Sequence, residues 1–202
     1  MPVTLDDAHV YHDDAGAVWP GVTSILGQVE PWRSRFVNIP EAVLEYKRQI
    51  GTAVHHATAL DDMGLLDEDT VAPEIAGYLE AWRRCVAQNR LAFYHREQVV
   101  WHPLRRYAGT LDWMGESAWG HMLLDIKTGP ATAGLQAGPQ TWAYLKAAKA
   151  NRIRGYTGYY RRASVHLSPD GRYQVVAHDN DEQDGQDFLD ALNQFTAAKR
   201  GR

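Results

Sequence analysis

The 202-residue sequence predicts an α/β fold, a mixed central β-sheet flanked by α-helices. Three observations carry that expectation. Two long amphipathic helical patterns come first, three runs rich in aromatic and β-branched residues follow back to back, and a helix, two strands and a helix complete the chain. The order α-α-β-β-β-α-β-β-α implies a mixed sheet with helices packed on it.

The elements follow in order. In "WPGVTSILGQVEPW" a Pro-Gly turn precedes Thr23 and Ser24, which cap a short helix through Leu26 before Gly27 and Pro31 stop it. From Pro40, in a first turn, Val43, Tyr46, Ile50, Val54 and Ala57 recur at three- and four-residue steps, the mark of a long amphipathic helix. A second helix runs from about Pro73 to Asn89 with Ile75, Leu79, Trp82 and Val86 on its inner stripe. Strands are expected at Phe93 to Trp101, Tyr107 to Met114 and Met122 to Ile126. A helix from about Leu135 to Ala150 leads to strands Tyr159 to Leu167 and Tyr173 to His178, which meet at the turn "SPDG". The closing helix carries Phe188, Leu192 and Phe195 on one side.

Composition narrows the classes. The length suits one domain, residues 1–202, with a full core, and neither a repeat nor a dividing linker is visible. No apolar run reaches the roughly 20 residues of a membrane span, and "MPVTLDDAHV" lacks the basic and apolar regions of a signal peptide, so the expected location is cytoplasmic. Cys85 is the only cysteine, which excludes an internal disulfide and any multi-cysteine zinc or iron–sulfur site; a buried thiol is the expectation. His95, His102 and His121 lack the close paired spacing of a zinc site. The formal charge of -4 does not advertise a nucleic-acid partner, yet a local basic groove can coexist with an acidic metal site.

The charges of "GTLDW" and "LLDIKTG" stand at the ends of apolar strands. Asp125 and Lys127, two apart, project from one face while Ile126 points the other way. Buried together without partners, two carboxylates and an ammonium cost free energy, and a divalent cation is a fitting partner. Asp112 and Asp125 are hard oxygen ligands suited to Mg²⁺ or Mn²⁺, and the backbone carbonyl of Ile126 adds a third. A surface ion pair between Lys127 and one aspartate is the alternative.

"GTLD" followed by "LLDIKTG" resembles the G-x-x-D and D-x-K-T motifs of the PD-(D/E)xK nuclease superfamily, in its RecB-like exonuclease branch. "GTAVHH" resembles that branch's G-x-x-x-H motif through Gly51 and His55, and "QTWAY" its Q-x-x-x-Y motif through Gln140 and Tyr144. "WPGVTSIL" is similar to the entry segment of phage-type and mitochondrial-genome-maintenance-type exonucleases, with Gly21 where serine is usual, and Glu97 matches a glutamate on the strand before G-x-x-D. These features span about residues 18 to 144. The resemblance implies a restriction-endonuclease-like core and a metal-dependent DNA exonuclease, with a branch- or flap-specific endonuclease or a non-catalytic DNA-binding protein as alternatives.

It also implies roles. Asp112, Asp125, His55 and the Ile126 carbonyl would hold the metals, two Mg²⁺ or Mn²⁺ ions, with Glu97 an outer-shell or second-metal ligand. Lys127 would position the attacking water, Gln140 orient substrate or the lysine, and Tyr144 contact the DNA backbone; helix packing is the alternative for Gln140 and Tyr144. DNA, and a recombinase or single-strand annealing protein, are the partners this implies. Basic residues near these motifs (Arg33, Arg35, Arg105, Arg106, Lys146 and Lys149, with Lys47, Arg48, Arg152, Arg154, Arg161 and Arg162) would neutralise phosphates, and Trp32, Trp113 or Trp142 would stack on bases.

Overall fold

The computed structural model describes residues 2–30, 32–36, 39–131, 137–153, 156 and 158–200, with the backbone alone at Arg35 and Phe36. Five strands make the main sheet: β4 (Ala92–His102), β5 (Tyr107–Ser117), β6 (Gly120–Lys127), β7 (Arg161–Leu167) and β8 (Tyr173–Ala177), in that spatial order. All pairs are antiparallel except β6 and β7, which are parallel and joined through helix α4 (Ala137–Asn151). The sheet is therefore mixed, as the element order requires.

Alternation along β6 sorts the two faces. Met122, Leu124 and Ile126 pack with Val54 and Ala57 of α2 (Glu41–Asp62) and with Ile75, Ala81 and Trp82 of α3 (Pro73–Asn89). Leu123 points the other way, into a core shared by α1 (Val22–Gly27), α4 and α5 (Asp181–Arg200). The result is three layers, helices on both faces of one sheet. α4 is buried on nearly all sides, and its small residues Ala143, Ala147 and Ala148 let it lie close to its neighbours.

Local chemistry fixes the boundaries. Pro73 opens α3 at a position where its missing N–H costs nothing, and Arg90 closes it in the left-handed region. α2 ends where Gly64, at φ 67°, turns the chain so that the Leu65 N–H reaches the Leu60 carbonyl. The "SPDG" segment forms the β7–β8 turn, with Gly171 at φ 77°.

Several expectations change. A three-stranded sheet of β1 (Val3–Leu5), β2 (Tyr11–Asp13) and β3 (Val18–Trp19) was not foreseen, because strands of two or three residues are too short to display a period. Val43 and Tyr46 are exposed: the first turns of α2 extend past the core that their apolar spacing suggested. Trp32, Trp113 and Trp142 are buried, so none offers a free ring face to a base. Arg154, the Arg35 side chain and the expected start of α4 at Leu135 lie outside the described residues. Cys85 is buried as expected, which pushes its thiol up to about 12.

Candidate metal centre

The site begins where two strands part. Pairing between β5 and β6 runs from Ser117↔Gly120 to Trp113↔Leu124 and stops before Asp112 and Asp125. Beyond that point β6 continues against β7, while β5 continues against β4. At the fork the Asp112 carboxylate takes the place of a strand partner: the Ile126 N–H donates to its Oδ2 at 2.6 Å. Farther along β5 the N-terminal segment occupies the vacated edge, where the Ala108 N–H donates to the Pro20 carbonyl and Gly21 bridges Ala108. A strand edge is thus opened at the two aspartates while the Ile126 and Ala108 N–H groups keep partners.

β4 contributes a second irregularity. Glu97 sits at φ 46°, a left-handed conformation that costs a non-glycine residue about 1 kcal/mol or more, and the Arg96↔Trp113 and Gln98↔Leu111 pairs skip it. The register is the same on either side, with Asp112 opposite Glu97, and the Glu97 carboxylate lies 3.5 Å from His55 Nδ1. Arg96 braces the same place from below. Its side chain, 2% exposed, donates from Nη1 to the Asp112 carbonyl at 2.7 Å and from Nη2 to Thr58 Oγ1 at 3.1 Å; its Nε lies 3.0 Å from Asp62 Oδ2, and its guanidinium stacks over Trp82. Thr58 in turn donates to the His55 carbonyl.

His55 projects from α2 into the fork. Its Nε2 lies 3.0 Å from the Ile126 carbonyl, which can only accept, so Nε2 carries a proton and Nδ1 faces the carboxylates. Nδ1 is 3.5 Å from Glu97 Oε1 and 3.5 Å from Asp112 Oδ1. Burial disfavours the charged ring, but Asp112 and Glu97 together outweigh it and raise the His55 pKa to about 9. Ligand atoms of His55, Glu97 and Asp112 all lie within 4.8 Å of one another, the one such group among the described residues. Adjacent ligands of an octahedral Mg²⁺ are about 3 Å apart. The donor set could hold a divalent cation once its atoms draw closer than the present 3.5 Å and more, with the tautomer of neutral His55 fixed by its outer hydrogen bond.

The second half of the site is a buried ion pair. Lys127 Nζ lies 2.7 Å from Asp125 Oδ2 and donates to Gln140 Oε1 at 3.1 Å. Gln140 Nε2 donates to Asp125 Oδ1 at 2.7 Å and to the Tyr144 hydroxyl at 3.1 Å. An ammonium on one side and a carboxylate on the other leave the Gln140 amide a single orientation. Burial pushes the Asp125 carboxyl up, against the pull of Lys127. Burial also disfavours the Lys127 ammonium, which the Asp125 and Asp112 carboxylates keep charged. Burial and the same two aspartates hold the Tyr144 phenol protonated. The Tyr144 ring explains the glycine of "GTLD": a Cβ on Gly109 would come 2.4 Å from Tyr144 Cε1.

Most of the motif residues line one cleft of about 560 Å³. Gly51, His55, Asp112 and Asp125 are there with Lys127, Gln140 and Tyr144, and so is Glu97. Within the cleft the expected ligands fall into two groups. Asp112 groups with His55 and Glu97, whereas Asp125 turns to Lys127 and Gln140; the Ile126 carbonyl accepts from His55. His9, Thr23, Arg48 and His56 also line the cleft, and Arg96 supports it. Arg48 is among the basic residues the sequence offered; sequence reading missed His9 for want of any local signal, and His56 because neighbouring helix positions do not tell which faces the strand fork.

The basic residues disperse. Arg106 lies over Trp19 and 3.8 Å from Asp13, Arg33 is exposed in a 3₁₀ turn, and Arg162 is a buried brace between Asp181, Asp184 and the Gly138 carbonyl. Arg105, Lys146 and Lys149 line a different groove altogether. No family model matches the chain, and no curated protein does.

Proposed function

We propose that this chain is a metal-dependent deoxyribonuclease, an exonuclease hydrolysing phosphodiester bonds at DNA ends, built on a restriction-endonuclease-like core of the PD-(D/E)xK type. The observation that carries the reading is one cleft holding both a three-ligand cation site, His55, Glu97 and Asp112, and a buried Asp125–Lys127 pair at 2.7 Å. The cytoplasm, with DNA in recombination, repair or phage DNA processing, is the setting this implies.

A divalent cation held by His55, Glu97 and Asp112 would supply Lewis-acid polarisation of a phosphoryl oxygen. The chain supplies the rest. Lys127, kept charged, binds a phosphate oxygen or the attacking water and stabilises charge as it grows on phosphorus. Asp125 Oδ2, beside Lys127 Nζ, is the acceptor for the proton that the attacking water releases. Gln140 holds both partners in place, and the protonated Tyr144 hydroxyl donates to a backbone phosphate.

The test is the purified chain with linear and covalently closed circular DNA in EDTA, Mg²⁺ or Mn²⁺. Loss of linear DNA alone, only with metal, is expected, and Lys127→Ala and Asp125→Asn should each lower the rate by at least about 10³-fold without loss of fold. Cutting of circles would make it an endonuclease; wild-type rates in either variant would overturn the assignment of these residues.

A further inference from the structure

On the far side of α4 from the cleft lie two adjoining grooves, each of about 530 Å³, that share Arg105 in the turn between β4 and β5. Lys146, Lys149 and Arg152 line one, and Arg200 of α5 lines the other. Five cations thus follow one another along a single track. Elsewhere Arg48, Arg83, Arg84, Arg96, Arg162 and Arg172 each lie against a carboxylate, while Arg33, Lys47, Arg90 and Arg161 lie against none among the described residues but line neither groove. Among the described residues Arg105, Lys149, Arg152 and Arg200 have no such partner, and Lys146 has one, Asp181, at 4.0 Å.

A structural reason accounts for only part of this. α4 ends at Asn151 and α5 at Arg200, and a helix C-terminus presents about half a negative charge. Two helix ends and Asp181 offset about two of the five charges. The remainder repel one another, on a chain whose formal net charge is -4. Two open grooves meeting at Arg105 suit an extended polyanion better than a single phosphate.

Nor can the track be an extension of the cleft wall. Gln140 and Tyr144 face the cleft; Lys149, nine residues beyond Gln140, is about 180° around the helix and about 13 Å along it. We propose that the track is a second nucleic-acid-binding surface, holding a segment of phosphodiester backbone separate from the one in the cleft. The choice of nucleic acid as the polyanion rests on the nuclease reading of the cleft; the existence of the track does not.

The experiment uses the full chain carrying Asp125→Asn, in EDTA, with a fluorescein-labelled DNA duplex, and follows anisotropy from about 50 to 200 mM salt. Adding Arg105→Glu and Lys149→Glu should weaken binding about tenfold or more and lower the salt slope by about 2, and the milder Arg105→Ala, Lys149→Ala pair should act in the same direction. Unchanged affinity and slope in both pairs would overturn the proposal. Polyglutamate competing as well as unlabelled DNA, at equal charge, would also overturn it, in favour of an acidic protein partner. Should the pairs lose DNA while the wild-type chain, with Asp125 intact, never hydrolyses it with metal, the track stands and the nuclease reading falls.

Discussion

His55 shows how one side chain is given its state by its neighbours. Burial alone would lower its pKa from 6.5, yet Asp112 and Glu97 carry it to about 9. A folded-state pKa above the unfolded one means that His55 stabilises the metal-free protein in full below about 6.5, and that this contribution is lost as pH rises through about 9. The stability difference between the metal-free wild type and His55→Gln, read from denaturant midpoints, should therefore be largest near pH 6 and shrink toward pH 10. A difference that grew with pH would mean that His55 is neutral in the fork and that its carboxylate neighbours are not paired with it.

The long helix α2 carries a glycine that its own stability does not want. A mid-helix glycine costs about 0.5–1 kcal/mol relative to alanine. Gly51 has ordinary helical φ, and a Cβ there would meet only Thr128 Oγ1, at 3.7 Å, so neither backbone nor packing requires glycine. The room that a methyl group would fill belongs to the cleft. Gly51→Ala should accordingly raise thermal stability by about 0.5–1 kcal/mol while raising KM for DNA. Increased stability with unchanged KM would show that substrate does not approach this turn of the helix. Gly109 makes the contrast, since there the Tyr144 ring leaves no room for a Cβ.

Across the whole molecule, the layers are locked by buried charge. Arg96 on β4 joins the α2 layer through Asp62 and Thr58, α3 through Trp82, and β5 through the Asp112 carbonyl. Removing it would leave Asp62, itself 7% exposed at the side chain, without its countercharge. Arg96→Ala should cost about 3–5 kcal/mol of unfolding free energy. Mn²⁺ affinity, measured on the fraction that remains folded, should fall as well, because Asp112 loses its anchor. A loss below about 1 kcal/mol would mean that the pair is solvated rather than buried.

Much of this architecture is legible before any coordinates. Period and turn chemistry locate α2, α3, the five long strands and the "SPDG" turn, because each is long enough to express its repeat or is fixed by local backbone preference. Parity on β6 alone tells that Asp125 and Lys127 share a face and that Ile126 opposes them. What only the tertiary structure decided is how these pieces combine: that Asp112 is grouped with His55 and Glu97 while Asp125 goes to Lys127, that Arg96 ties the Asp112 strand to α2, and that Arg105, Lys146 and Lys149 sit behind α4 and not in the cleft. The physical reason is the same in each case. Repeat and propensity act over a few residues, whereas a carboxylate's partner is set by where a strand ladder breaks and which helix packs over the break, and those are decided by contacts between residues as far apart as His55 and Ile126.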